Sequence, residues 1–182
     1  SQTEGFYECP DLFELALDGD PGAKKWILTA ASSDYMVGTF DGTRFTTETG
    51  KLKGHHGRGF YAAQTYSDSP GGRRIQIGWL QAPSPDMPFN QAMSLPQTLS
   101  LRATAEGPRL VRQPARELET LRISSARRGP LNLKDGDTNP FAGAGGELLE
   151  LRADFEAGDA REVAFIVRGV PIIYKPAERE LM

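Results

Sequence analysis

Trp26-Ile-Leu-Thr-Ala-Ala31-Ser-Ser-Asp-Tyr35-Met-Val-Gly-Thr-Phe40-Asp-Gly-Thr-Arg-Phe45 is the stretch whose reading decides the fold. It holds two apolar runs, Trp26 to Ala31 and Tyr35 to Phe40, each of strand length and rich in aromatic or β-branched residues. Neither is long enough for a helix. After Phe40 comes Asp41-Gly42, flanked by residues able to pair, which is a strong short-range signal for a tight hairpin.

The same pattern recurs outward from this stretch. Phe60 to Tyr66 and Arg74 to Trp79 are strand-like, and Gln81 to Pro88 then holds three prolines, which deny a sheet its backbone donors and mark a surface loop. Strand signals resume at Ser94 to Arg102 and at Arg109 to Arg112, with Glu106-Gly107 as the turn between them. Such even spacing predicts an all-β propeller, sandwich or barrel. The 20 Gly and 13 Pro among 182 residues agree, because so many breakers do not suit a helical bundle. From residue 113 the composition shifts: 113–128 is polar and charged, and 129–146 is dominated by Gly, Pro, Asn and Asp, so a domain junction and a long loop are expected there. Leu148 to Phe155, Glu162 to Arg168 and Ile172 to Tyr174 alternate as strands of a second β unit. That unit is small enough to suggest that the chain stops before it is finished.

A net charge of −3, with 38% hydrophobic and 25% charged residues, describes a folded domain and excludes a polybasic nucleic-acid binder. No apolar run approaches the length of a membrane-spanning helix, and Ser1-Gln2-Thr3-Glu4 lacks the basic and apolar regions of a leader, so neither nucleic acid nor membrane is an expected partner. A first residue of Ser implies processing or excision from something longer. Cys9 is the single cysteine, which allows no internal disulfide.

Few residues invite chemistry. Glu8 lies in Tyr7-Glu8-Cys9-Pro10-Asp11-Leu12-Phe13, between an aromatic, a Cys of the usually buried kind and a Pro. A carboxyl partly desolvated in this way can stay protonated near neutrality and act as a general acid. The plainer reading is a strand-end Glu with a surface or backbone hydrogen bond. Asp11, three residues on, would face the other way in an extended chain, so the two are not a ready-made pair. His55 and His56 are the only histidines and, as neighbours on a strand, would diverge, which argues against zinc. Asp135-Gly-Asp-Thr-Asn139 begins like a calcium loop but continues with Pro140 and reaches Gly146 where a Glu is needed. No Gly-rich phosphate loop or Gly-x-Ser-x-Gly elbow occurs. Neither metal nor cofactor is expected. Tyr61 and Trp79 read as packing aromatics or as apolar platforms for sugar C–H faces.

Taken together these residues resemble glycoside hydrolase family 32, the invertases, levanases and inulinases. Glu8-Cys9-Pro10 is similar to the family's ECP motif, and Gly57-Arg-Gly-Phe-Tyr61-Ala-Ala-Gln-Thr-Tyr66 to its DxGxDFYAxxT segment. Arg73 to Trp79 is similar to the strand that follows, and Met87-Pro-Phe-Asn-Gln91 with Pro96, Leu99 and Leu101 to the levanase-like bacterial branch. The likeness is in order across about residues 5–125 and weaker beyond.

The resemblance implies a five-bladed β-propeller followed by a β-sandwich, with residues 1–113 as the later propeller blades and 114–182 as the beginning of the sandwich. It implies retaining hydrolysis of fructosyl linkages in levan, inulin or sucrose. Glu8 would be the acid/base, with Cys9, His55, Arg58, Tyr61 and Trp79 around the sugar. The family's nucleophile, an Asp in a WMNDPNG-like motif, and its Arg-Asp-Pro motif do not occur here, so the chain by itself is expected to be inactive. Acids usual in the family fall at His55 and Gly59, which tilts the substrate toward fructan. Secretion or a periplasmic location is implied too. Two alternatives stand: a non-catalytic carbohydrate-binding protein or decayed homologue, and an inverting arabinan-cleaving propeller.

Overall fold

The computed structural model describes residues 5–182; Ser1 to Glu4, read above as lacking a leader, lie outside the described residues. The chain divides into two compact units, one running to Ile123 and the other from Ser124 to Met182.

Among the described residues the first unit has nine strands: β1 (Asp11–Leu17), β2 (Asp20–Thr29), β3 (Tyr35–Phe40), β4 (Phe45–Thr47), β5 (Phe60–Tyr66), β6 (Arg74–Leu80), β7 (Ala92–Met93), β8 (Gln97–Arg102) and β9 (Arg109–Pro114). They form two four-stranded antiparallel meanders. β1-β2-β3-β4 is the first, β5-β6-β8-β9 the second, and a parallel bridge from Leu17 to Leu101 joins them, with β7 added to β6. A four-stranded antiparallel meander is the repeating blade of a propeller. Two short 3₁₀ turns, Pro70–Gly72 and Arg116–Leu121, are its helical content, in keeping with the all-β expectation.

Alternation along the strands sorts the side chains into two cores. In the first meander Phe13 pairs with Ile27 and Ile27 with Val37, whereas the neighbouring row runs Leu12, Leu28, Met36. The Phe13 row joins Leu99, Leu101 and Leu110 of the second meander, and Leu28 and Met36 of the other row pack with Phe6 and Ala30. The first meander is therefore buried on both faces. β1, which carries Phe13, was hidden in the sequence behind the chemistry of the residues preceding it.

The Asp41-Gly42 hairpin forms between β3 and β4 with a longer loop than a two-residue turn. Phe40 pairs with Phe45, and the Asp41 carboxylate accepts from the backbone N–H groups of Thr43 (2.8 Å) and Arg44 (2.7 Å), while Gly42 takes φ 96°. Arg112 on β9 ties the second meander to the segment before β5. Its Nη1 donates to the Gly54 carbonyl (2.5 Å) and its Nε to Gln76 Oε1 (3.0 Å). A Cβ at Gly54 would lie 1.8 Å from the Ser33 carbonyl oxygen, so only glycine allows this approach.

In the second unit β10 (Val163–Val167), β11 (Val170–Lys175) and β12 (Glu180–Leu181) form an antiparallel sheet. Arg168 and Gly169 turn β10 into β11 with φ values of 51° and 80°, a pair of left-handed residues suited to the strand twist. Leu148 to Phe155 is not a strand, contrary to its alternation. Phe155 instead packs its ring on Phe165 and Tyr174, at 5.6 and 6.0 Å.

Candidate active site

Glu8 sits in the bend between buried Phe6 and the start of β1. Its carbonyl accepts from the Ala31 N–H (3.0 Å), and the Ala31 carbonyl accepts from the Ala62 N–H (2.8 Å), so the turn after β2 stands between the Glu8 bend and β5. Side chains of β5 then reach the same bend. The Tyr61 hydroxyl donates to Glu8 Oε2 at 2.6 Å, and Gln64 Nε2 donates to the Cys9 carbonyl at 3.0 Å. From β1, the Asp11 carboxylate reaches across to accept the Thr65 N–H at 2.7 Å.

A β-bulge makes this convergence possible. The β5–β6 register passes from Tyr61 opposite Trp79 to Gln64 opposite Ile77, three residues against two, and Ala62 takes φ 48°. Without the extra residue Tyr61 and Gln64 would face opposite sides of the sheet. With it both address the Glu8-Cys9 bend, and the Ala62 N–H is free to turn to Ala31. Cys9 is also left-handed, at φ 42°.

Two sequence expectations change here. Glu8 and Cys9 are exposed, not desolvated, because they lie in a bend outside the strands. Strand alternation likewise does not govern Glu8 and Asp11, and both carboxylates reach β5. Asp11 is committed to the Thr65 amide, so it remains unavailable as a partner to Glu8. The hydrogen bond to Glu8, followed by burial, holds the Tyr61 phenol above its usual pKa, which keeps it a donor.

Trp79 on β6 meets Tyr61 edge to face, with centroids 6.3 Å apart and planes at 73°. His55 is placed differently. Its ring packs on Phe60 at 5.2 Å, and Phe60 is the neighbour of Tyr61 along β5. Burial and then the charge of Arg112 push the His55 imidazole below its ordinary pKa. Its Nε2, Arg112 Nη2 and Ser33 Oγ are buried polar atoms without hydrogen-bond partners. Arg58 is exposed on the same segment. The geometry thus joins Glu8, Cys9, Tyr61 and Trp79, and sets His55 against Phe60 and Arg112. Sequence reasoning missed Asp11, Gln64 and Arg112 as braces; the YAAQT wording around Gln64 was the available signal.

Among the described residues no group of three His, Cys, Asp or Glu side chains could hold a metal ion. A groove of about 280 Å³ bordered by Asp18, Arg73 and Arg102 lies at the other end of β1 and contains none of the candidate residues.

An acidic bend clasped by a bulged strand thus sits against two four-stranded antiparallel meanders of the kind that propellers repeat. Residues 1–114 match the model of the glycosyl hydrolases family 32 N-terminal domain, and the chain belongs to that family. It is 38% identical over 186 residues to the levanase of Bacillus subtilis, covering 90% of this chain and 28% of the levanase. It is 30% identical to an extracellular exo-inulinase of Aspergillus niger, covering 84% of this chain and 33% of that protein. The crystal structure of the exo-inulinase from Aspergillus awamori superposes with a TM-score of 0.52 at 30% identity, over 59% of this chain and 25% of that one. The chain therefore spans about a quarter to a third of the length of these relatives.

Proposed function

We propose that this chain supplies the acid/base wall of a retaining fructosidase acting on levan, inulin or sucrose-type linkages. The observation that carries the reading is the 2.6 Å hydrogen bond from Tyr61 to Glu8, beside Trp79. Glu8 protonates the glycosidic oxygen as the bond to the fructosyl carbon breaks, then takes a proton from the water that releases fructose. Tyr61 holds one carboxylate oxygen in place and so aims the other at the leaving group. Cys9, Trp79 and Tyr61 line the sugar, and His55 and Arg58 belong to the segment that borders it.

Retention needs a second carboxylate about 5–5.5 Å from the acid. Asp11 is held by Thr65, so the nucleophile comes from residues other than these, such as the family's NDPNG-like segment. Residues 1–113 act as closing propeller blades and 114–182 as the opening of a β-sandwich. The extracellular inulinase relatives support a secreted or periplasmic setting.

Glu8→Gln in the intact protein tests the role. Fructose release from levan and inulin falls by about 10²- to 10⁴-fold, the usual worth of general acid help. A fructoside whose leaving group needs no proton is less affected in the first step. The exposure of Glu8 favours a second reading, a carbohydrate-binding protein without turnover. Retained fructan binding with no release by the unsubstituted protein would select it.

A further inference from the structure

We propose that Met93 is the outer end of a sugar-binding row that begins at Glu8, takes the fructan units beyond the cleaved bond, and sets a preference for longer chains. The proposal rests on the fructosidase reading above.

The row follows from register. Tyr61 on β5 lies opposite Trp79 on β6, and Trp79 lies opposite Met93 on β7. Directly paired residues of antiparallel strands share a face, and the Tyr61–Trp79 ring contact shows that face occupied by both aromatics. Two strand spacings carry the row about 10 Å outward, which exceeds one sugar ring. Its inner end is tied to chemistry by the Tyr61–Glu8 hydrogen bond.

The outer end is also tied by hydrogen bonds. β7 is only two residues long, yet Ser94, which follows it, ties it to β6 twice: its N–H donates to the Gly78 carbonyl (2.7 Å), and its Oγ accepts from the Gly78 N–H (3.0 Å). Gly78 itself has no room to change, since a Cβ there would lie 2.6 Å from the Phe60 ring. This fixed two-residue strand presents its largest side chain to solvent. Trp79 is 40% exposed and Met93 60%. An indole followed by an unbranched, polarisable thioether makes a continuous apolar strip for the C–H faces of successive sugar rings.

The experiment titrates residues 1–182 with inulin-derived disaccharide, trisaccharide and pentasaccharide, following Trp79 fluorescence. A Trp26→Phe background isolates the signal, because Trp26 packs on Phe40 elsewhere in the sheet. Affinity should tighten with chain length. Met93→Ala should weaken pentasaccharide binding by about threefold to tenfold, the scale of one lost apolar contact, and leave the disaccharide unchanged. Met93→Leu should restore the length dependence, and circular dichroism should match throughout. Tight binding that is flat with chain length, or a length dependence untouched by Met93→Ala, overturns the row and leaves the fructosidase reading standing. No response to any of the three sugars overturns the row as well, and activity of the intact protein toward levan then decides the fructosidase reading separately.

Discussion

The two meanders of the first unit are built from the same four-strand plan and use it differently. The first keeps its register in step from Asp11 to Ala16 along β1, shifting only between Ala16 and Leu17 at the hairpin end, and buries side chains on both faces. The second interrupts its register with the Ala62 bulge, inserts a proline-rich loop after β6, and leaves Trp79 and Met93 in solvent. Regular pairing makes a wall; a broken register lets a strand turn its side chains and a spare amide toward another segment. Glu8 precedes the regular blade, and the groups that hold it come from the irregular one.

The largest expected effect breaks the wall. Phe13→Ala removes a ring only 2% exposed and should cost about 3–5 kcal/mol in urea unfolding. Met93→Ala, in the irregular blade and 60% exposed, should stay within about 0.5 kcal/mol. Equal losses at the two sites would erase the contrast.

Next is the bulge. Ala62→Val puts a β-branched residue at φ 48° and should destabilise by about 1–2 kcal/mol while loosening the Glu8 bend. Loss of the Ala62 N–H contact to Ala31, seen as faster amide exchange at Ala62, checks it. An unchanged exchange rate would show that the bulge does not depend on that residue.

The smallest effects are on pH dependence, and they occupy different windows. The His55 pKa is lowered in the fold, so the unfolded chain binds a proton first as pH falls. Stability is full above the unfolded pKa of about 6.5 and declines as pH drops below it. His55→Gln should flatten that slope in unfolding midpoints measured from pH 7.5 downward. Arg112, Arg58 and His56 are the groups that act on it, and Arg112 keeps its charge throughout. Glu117 pairs through both oxygens with Arg73, at 3.0 and 2.5 Å, and its carboxyl pKa falls to about 2. Its contribution is present above pH 4.5 and lost as pH falls toward 2. Glu117→Gln should remove only this acid shoulder, a faint one because the pair is at the surface.

Much of this was legible beforehand for a local reason. Strand runs, proline loops and the Asp41-Gly42 turn act through neighbours in sequence, and the Glu8-Cys9-Pro10 and Tyr61-Ala-Ala-Gln-Thr motifs carry the family resemblance in their own order. Leu148 to Phe155 shows where local reading stops. Alternation makes a segment able to pair, but a strand needs a second backbone to pair with, and Phe155 found aromatic rings instead.

By itself the sequence determined the all-β class, the strands that local runs mark, though not β1, and the acid in its motif, because these rest on periodicity and on residue identity. Only the tertiary structure decided what holds that acid. Tyr61 reaches Glu8 across a sequence separation of 53, Thr65 reaches Asp11 across 54, and Arg112 reaches Gly54 across 58. Those contacts depend on one extra residue in β5 and on a missing Cβ at Gly54, and neither alters the local pattern by which a strand is recognised.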